Sequence, residues 1–220
     1  MEYCAIIGDI KQSRECKNRY EVQERLKKVL YKLNLIYRDK LAAEFLITLG
    51  DEFQGILENV NHVLKIVKYI QKEMYPIKLR FGIGIGMIST KINKKAAIGA
   101  DGPAFYAARD AIKDLHEQEK KIKKQASDIQ IFWYNKECFE LKEINMMLLL
   151  LNMIEESWTE KQRYTIWDMM AHHGSQEMCA KRIGTTQSTV ARRLADGKYI
   201  IYGRLIETIE EALYKLGDIR

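Results

Sequence analysis

Two aspartates of this chain stand where apolar runs end, the positions at which carboxylates reach the edge of a sheet. Gly50-Asp51 lies between residues 45–49 and 52–57, both rich in β-branched and aromatic types, and this pattern predicts a tight hairpin. Asp9 follows the apolar run 2–8. Two carboxylates at one lip of a sheet suit a Mg²⁺ or Mn²⁺ ion that holds a triphosphate. We therefore expect Asp9 and Asp51 to be metal ligands. The alternative is that Asp9 caps a helix and Asp51 only fills a turn.

Groups that would bind phosphate surround these aspartates in the sequence. Gly8 and the backbone N–H groups from Ile10 to Ser13, if they open a helix, offer a cradle for phosphate oxygens, and Gly50 adds a second close approach. Two arginines, Arg80 and Arg109, could balance charge on a transferred group, which makes them the catalytic candidates.

Residues 77–88 read as a strand with glycine at three alternate positions, Gly82, Gly84 and Gly86. Alternation places all three on one face of the strand. Because glycine weakens a strand, its repetition indicates that something approaches that face closely. Either a ligand or a tightly packed helix fits this pattern.

The order of apolar patterns up to residue 136 is β-α-β-β-α-β-α-β. This order predicts an α/β fold, ferredoxin-like, with helices on one face of a mainly antiparallel sheet. After residue 136 only helical patterns follow. We expect an α/β domain at 1–136, a connector helix at 137–156 that is buried or forms a dimer contact, and a small all-α domain at 157–220.

Composition restricts the class of protein. The 220 residues carry a formal charge of +6, which permits a nucleic acid or nucleotide partner. The longest apolar run, 146–151, is too short to span a bilayer, and no secretion signal opens the chain. The four cysteines form no CxxC pair and are typical of a reduced, cytoplasmic protein: Cys4, Cys16, Cys138 and Cys179.

The first part of the chain resembles the catalytic domain of class III nucleotidyl cyclases and is similar to GGDEF-type diguanylate cyclases. The resemblance rests on four segments, 7–10, 49–53, 80–84 and 107–109. It implies a ferredoxin-like core, a purine nucleotide as ligand, Asp9 and Asp51 as metal aspartates, and Arg109 as the arginine that steadies the transferring phosphoryl group.

Two positions depart from the cyclase pattern. Ile47 stands where adenylyl cyclases place a base-reading lysine, and Phe105 stands where the helical asparagine is found. These departures predict slow or absent cyclisation. Over nearly its full length the chain more closely resembles the SatD family, through the segments 8–10, 48–55 and 98–104.

Residues 176–194 have the rhythm of a helix-turn-helix. Ala180 is small where two helices would cross, and Gly184 permits the turn. On the second helix Gln187, Ser188, Arg192 and Arg193 are expected to face outward, and these types contact base edges and phosphates. Residues 176–204 hold six Lys or Arg and two acidic residues, a net charge of +4 that suits duplex DNA. The alternative is a packing or dimerisation module.

These patterns predict a cytoplasmic bacterial regulator that acts as a homodimer, in which a nucleotide- and Mg²⁺-binding domain is coupled to a DNA-binding helix-turn-helix. One rival is an active nucleotidyl cyclase or phosphotransferase with a regulatory helical tail. The other is an interaction protein in which both sites have decayed.

Overall fold

The computed structural model describes residues 2–13, 18–122, 126–172 and 174–218. Within them the strands are β1 Tyr3–Ile10, β2 Leu41–Leu49, β3 Glu52–Leu57, β4 Leu79–Gly86 and β5 Ile129–Trp133. The helices are α1 Arg19–Ile36, α2 Val63–Met74, α3 Pro103–Ile122, α4 Phe139–Glu156, α5 Glu160–Ala171, α6 Gln176–Arg182, α7 Gln187–Asp196 and α8 Tyr199–Asp218.

The strands form one sheet in the order β2-β3-β1-β4-β5. The first four pair antiparallel, in the strand order of a ferredoxin-like core. The fifth strand pairs parallel with β4, because α3 carries the chain over the sheet between these neighbours. The α/β prediction is confirmed, and the sheet is mixed.

The expectation that helices cover one face of the sheet is wrong. Side chains of α1 and α2 pack on the face that presents Ile6, Phe81 and Ile83. Helix α3 packs on the opposite face, where Phe105 and Ala108 meet Ile7 of β1. Strand residues alternate between faces, so both faces of the central strands are buried.

The three alternate glycines of β4 explain why α3 lies so close to the sheet. A Cβ added to Gly84 would stand 1.9 Å from the carbonyl oxygen of Ala104, and one on Gly82 would stand 2.3 Å from that of Ala108. Only a strand face without side chains admits helix backbone at these distances. Of the two explanations for the glycine repeat, a tightly packed helix is the observed one.

Helix α4 covers the free edge of β5. The Asn145 amide accepts a hydrogen bond from the Ile131 backbone N–H at 2.9 Å and donates one to the Ile131 carbonyl at 2.8 Å. The side chain thus takes the place of a neighbouring strand at this point of the edge.

One buried apolar cluster joins the sheet to the helices that follow. It contains Ile83 of β4, Leu151 of α4, Ile166 of α5 and Leu213 of α8. The boundaries at 136/137 and 156/157 stay a prediction, and the apolar core passes across both of them.

Helices α5, α6 and α7 each begin with a side-chain cap. Thr159 and Gln162 form a reciprocal capping box at α5, Ser175 accepts from Met178 N at α6, and Thr186 accepts from Thr189 N at α7. Each cap gives a partner to a backbone N–H group at the start of its helix.

Two predictions from the sequence concern membrane-spanning segments and the state of the cysteines. None of the helices in the described segments combines the length and apolar character needed to cross a lipid bilayer. Three cysteines, Cys4, Cys138 and Cys179, are free, whereas Cys16 lies outside the described residues. The cytoplasmic location stays a prediction.

Candidate functional site

Asp9 and Arg80 meet at the end of β1 because the β1–β4 register pairs them directly. Arg80 Nη1 donates to Asp9 Oδ1 at 2.6 Å, and its Nη2 donates to Glu119 of α3 at 2.7 Å. The Arg80 side chain is only 9% exposed, so these two carboxylates stabilise its positive charge in a largely buried position.

Lys11 extends this cluster on the other side. Its ammonium lies 2.5 Å from Glu119 and also contacts Asp128, the residue before β5. Burial raises the pKa of the Asp128 carboxyl, although Lys11 opposes the shift. Burial also acts to raise the pKa of Glu119, but hydrogen bonds from Arg80 and Lys11 outweigh it and lower that pKa. Negative and positive side chains therefore alternate along the line of contacts Asp9–Arg80–Glu119–Lys11–Asp128. We name these five residues the β1-end cluster.

Asp9 and Asp51 each contact other charged side chains, and their role as ligands of one shared metal ion stays a prediction. Both carboxylate oxygens of Asp9 are engaged, one by Arg80 and the other by His116 Nε2 at 3.2 Å. Asp51 lies by α1, with Oδ1 3.7 Å from Arg19 Nη2. The two aspartates are near the same end of the sheet, since β1 and β3 are antiparallel neighbours, but α3 holds one and α1 the other. Among the described residues, no three His, Cys, Asp or Glu side chains are grouped as metal ligands.

Arg109 of α3 and Arg80 of β4 make their contacts near opposite ends of α3. Arg109 contacts Asp101 at 3.3 Å, near the start of the helix, and its guanidinium carbon is 5.9 Å from the ring centre of Tyr106. Arg80 instead contacts Glu119, near the end of the same helix. The structure therefore brings Asp9 and Arg80 together and leaves Arg109 in a second, exposed pair.

The expected phosphate cradle has other contacts. A Cβ on Gly8 would stand 2.2 Å from the Phe53 ring, so close packing with that ring accounts for this glycine. Ile10 belongs to β1, and helix α1 begins only at Arg19, after Ser13. Gly50 has a φ of +64°, which the hairpin turn requires. The roles of Gly8, Ile10, Ser13 and Gly50 in nucleotide binding stay predictions.

The four side chains predicted to face DNA divide into two groups. Gln187, Ser188 and Arg192 are exposed on α7. Arg193 is half-buried and turns inward, with Nη1 3.3 Å from Thr165 Oγ1 of α5. The expectation that both arginines point outward therefore holds for Arg192 and is wrong for Arg193, because the helix turns position 193 toward α5.

A buried polar group that the sequence analysis missed joins the α/β part to the helices. Glu155 of α4 accepts from Lys68 of α2 at 2.8 and 2.9 Å and from the Tyr202 hydroxyl of α8 at 2.5 Å. Burial, and next the Glu155 charge, raise the pKa of Tyr202 well above its ordinary value. The adjacent acidic residues Glu155 and Glu156 at the end of an apolar helix were the available signal. We name Lys68, Glu155 and Tyr202 the junction triad.

The β1-end cluster also contains residues that the sequence analysis did not select. Lys11 follows Asp9 by two positions, and Asp128 immediately precedes a predicted strand. Charged residues at strand ends were the signal, but which of them pair can be known only from the sheet order.

The SatD family model matches residues 3–213. This chain is a member of the SatD family.

Curated proteins gave no match to the SatD chain. Among solved structures, a bacterial light-regulated adenylyl cyclase is similar with 12% identity and a TM-score of 0.42, over 59% of this chain and 74% of the other. The dimeric guanylyl cyclase domain of the RhoGC fusion protein from the aquatic fungus Blastocladiella emersonii shows 13% identity, a TM-score of 0.37 and coverage of 50% and 72%. The guanylyl cyclase Cya2 shows 12% identity and a TM-score of 0.37, over 52% of this chain and 70% of the other.

Proposed function

We propose that this SatD-family protein is a regulator that binds duplex DNA through α5, α6 and α7, with α7 as the recognition helix of a helix-turn-helix. One observation carries the proposal. Gln187, Ser188 and Arg192 stand exposed on α7, while Val190 and Leu194 of the same helix are buried. A helix fixed by one apolar side and bearing amide, hydroxyl and guanidinium groups on the other suits the major groove.

The connection between α6 and α7 supports this proposal. Residues 183–186 join the two helices, and Gly184 has a φ of +65° within them. Ala180, 5% exposed, provides the small side chain of α6 that lets the helices approach. Short helices joined by a four-residue turn with glycine are the form of this motif.

The distribution of charge also supports DNA as the partner. Arg182 is held by Asp168 of α5 at 2.6 Å and stabilises the three-helix unit. Within residues 176–204, the exposed cations left for phosphates are Lys181, Arg192, Lys198 and Arg204. Of these, Arg192 is the one on α7 itself, next to the base-contacting types.

Arg192→Ala is expected to weaken DNA binding about tenfold, since one base or phosphate contact is lost. Arg193→Ala should weaken binding less and lower the melting temperature more, because Arg193 contacts Thr165. Gel shifts at low and moderate salt, on the DNA upstream of the protein's own operon and on random duplex, measure both effects. Lys32→Ala, an exposed lysine of α1, is the matched control.

Two outcomes would contradict the DNA-binding proposal. Wild-type protein that shifts neither duplex at low salt would reassign α5–α7 to packing. Equal losses for Arg192→Ala and Lys32→Ala would reduce the effect to net charge.

The α/β part is expected to cyclise neither ATP nor GTP at an appreciable rate. Phe105 replaces the asparagine of the cyclase pattern, Arg80 and His116 hold Asp9, and Arg109 lies apart from them. Incubation with each nucleotide and Mn²⁺, followed by mass spectrometry of the cyclic product, measures this. Rapid product that disappears in Asp9→Asn would instead support the nucleotidyl cyclase alternative. Mg²⁺ or Mn²⁺ and a purine nucleotide stay predictions for this part.

Homodimer formation is part of the same proposal. Helix α4 leaves four apolar side chains exposed on the surface: Phe139, Met146, Leu150 and Met153. Their spacing of three, four and seven residues places them on one side of the helix. A second copy that covers them would make the protein a dimer, the form in which many helix-turn-helix proteins bind two half-sites.

A further inference from the structure

A groove of about 730 Å³ lies where the α/β part meets the helical part. Its walls come from α2, the segment 75–79, the end of α4, and helices α5 and α8. The volume falls in the range of small-molecule sites. Among the described residues, the lining includes Asp128 of the β1-end cluster and none from α7.

Aromatic side chains form one wall of the groove. The rings of Tyr75 and Trp167 meet edge to face, with centroids 5.3 Å apart. The Arg163 guanidinium stands 4.9 Å from the Tyr75 ring centre. Both aromatic residues are half-buried, so part of each ring is open to a ligand. Such a wall accepts a planar ring.

Two polar atoms of the lining residues have no hydrogen-bond partner among the described residues. They are Gln71 Oε1 and Arg163 Nε, and both are buried. A buried polar atom without a partner destabilises the fold. A polar group on a molecule bound in the groove would give such an atom a partner.

Charge in the groove has an excess of one positive unit. The lining holds five cations and four carboxylates: Lys65, Lys68, Lys72, Lys78, Arg163, Asp128, Glu155, Glu156 and Glu210. Lys65, Lys68 and Lys78 each pair with a lining glutamate. Lys72 is exposed, and no carboxylate of the described residues is paired with it.

We propose that this groove binds a small planar aromatic molecule with an anionic group, its ring against Tyr75 and Trp167 and its anion at Lys72. A free aromatic carboxylate and a mononucleotide share this chemistry. The site touches α2 on one side and α5 and α8 on the other, so an occupant contacts both parts of the chain. This placement is suited to an effector.

Isothermal titration of the full chain with 2-naphthoate tests the proposal. Its dissociation constant should be about 1 mM or lower, as expected of a fragment of this size. The neutral analogue 2-naphthamide and the non-aromatic anion cyclohexanecarboxylate should each bind at least about fivefold more weakly. Adenosine monophosphate is the second arm, and tighter binding of it would assign the nucleotide as the source.

Variants locate the binding. Lys72→Ala should weaken 2-naphthoate binding about fivefold or more without changing the melting temperature, since Lys72 is exposed. Gln71→Met removes the unpartnered oxygen, so it should maintain or raise the melting temperature while weakening binding. Lys32→Ala, outside the groove, should change neither quantity.

The proposal is overturned if neither 2-naphthoate nor adenosine monophosphate binds, if 2-naphthamide and cyclohexanecarboxylate bind as well as 2-naphthoate, or if Lys72→Ala leaves binding unchanged. None of these readouts uses DNA. A chain that binds 2-naphthoate but no duplex would refute the proposed function and leave this site standing.

Discussion

Gly84→Ala is expected to destabilise the fold by about 3 kcal/mol or more, the upper part of the range for overpacking a core. The added Cβ would stand 1.9 Å from Ala104 O and 2.4 Å from Ala108 N, both backbone atoms of α3. Backbone cannot rotate away as a side chain does, so α3 must move off the sheet. Urea unfolding monitored by circular dichroism measures the loss.

Gly203→Ala is the matched control for this prediction. A Cβ at Gly203 meets no atom within 4 Å, and the residue lies inside α8. Alanine is the better helix former, so this change should stabilise by about 0.5–1 kcal/mol. Opposite signs for the two substitutions are expected. An unfolding midpoint of Gly84→Ala equal to that of the wild type would refute the close approach of α3 to β4.

Glu155→Ala is expected to cost about 2–4 kcal/mol of stability, because it leaves Lys68 and the Tyr202 hydroxyl without their shared partner. Removal of one member of a buried ion pair typically costs about 3–5 kcal/mol. The Lys68 side chain is 18% exposed and can move partly into solvent, which reduces the figure. Chemical denaturation of the full chain is the measurement.

A triple variant separates the lost polar contacts from the lost packing. Lys68→Met, Glu155→Leu and Tyr202→Phe together should recover most of the stability, since apolar replacement of a whole buried network is close to neutral and leaves no member unpartnered. Glu137→Ala is the exposed control. Glu137 is 86% exposed and its ion-pair partner Lys142 is 68% exposed, so the substitution should change the free energy of unfolding by less than about 1 kcal/mol. If Glu155→Ala behaved like Glu137→Ala, the junction triad would have no structural weight.

Local patterns predicted much of the fold. The hairpin around Gly50 follows from a few adjacent residues, and it is observed. The glycine repeat of β4 correctly indicated a close approach on one strand face, but the sequence left open whether a ligand or a helix made it. Only the position of α3 decides that question.

The charged groups were harder to predict because their partners are distant in the chain. Asp9 pairs with Arg80, and Arg80 in turn with Glu119, across the β1–β4 ladder and the end of α3. Without that register, Asp9 looked free to bind a metal. Arg192 and Arg193 show the same difficulty on a smaller scale, since adjacent helical positions differ by about 100° and only packing decides which one turns inward.

The contact between Asn145 and Ile131 has a consequence for how this chain can be divided. The residue that closes the sheet edge lies beyond position 136, so a chain cut there would present β5 with bare N–H and C=O groups. Such an edge recruits strands from other molecules and leads to aggregation. Helix α4 is therefore part of the sheet's protection against edge-to-edge association, and it is not a spacer between two separable halves.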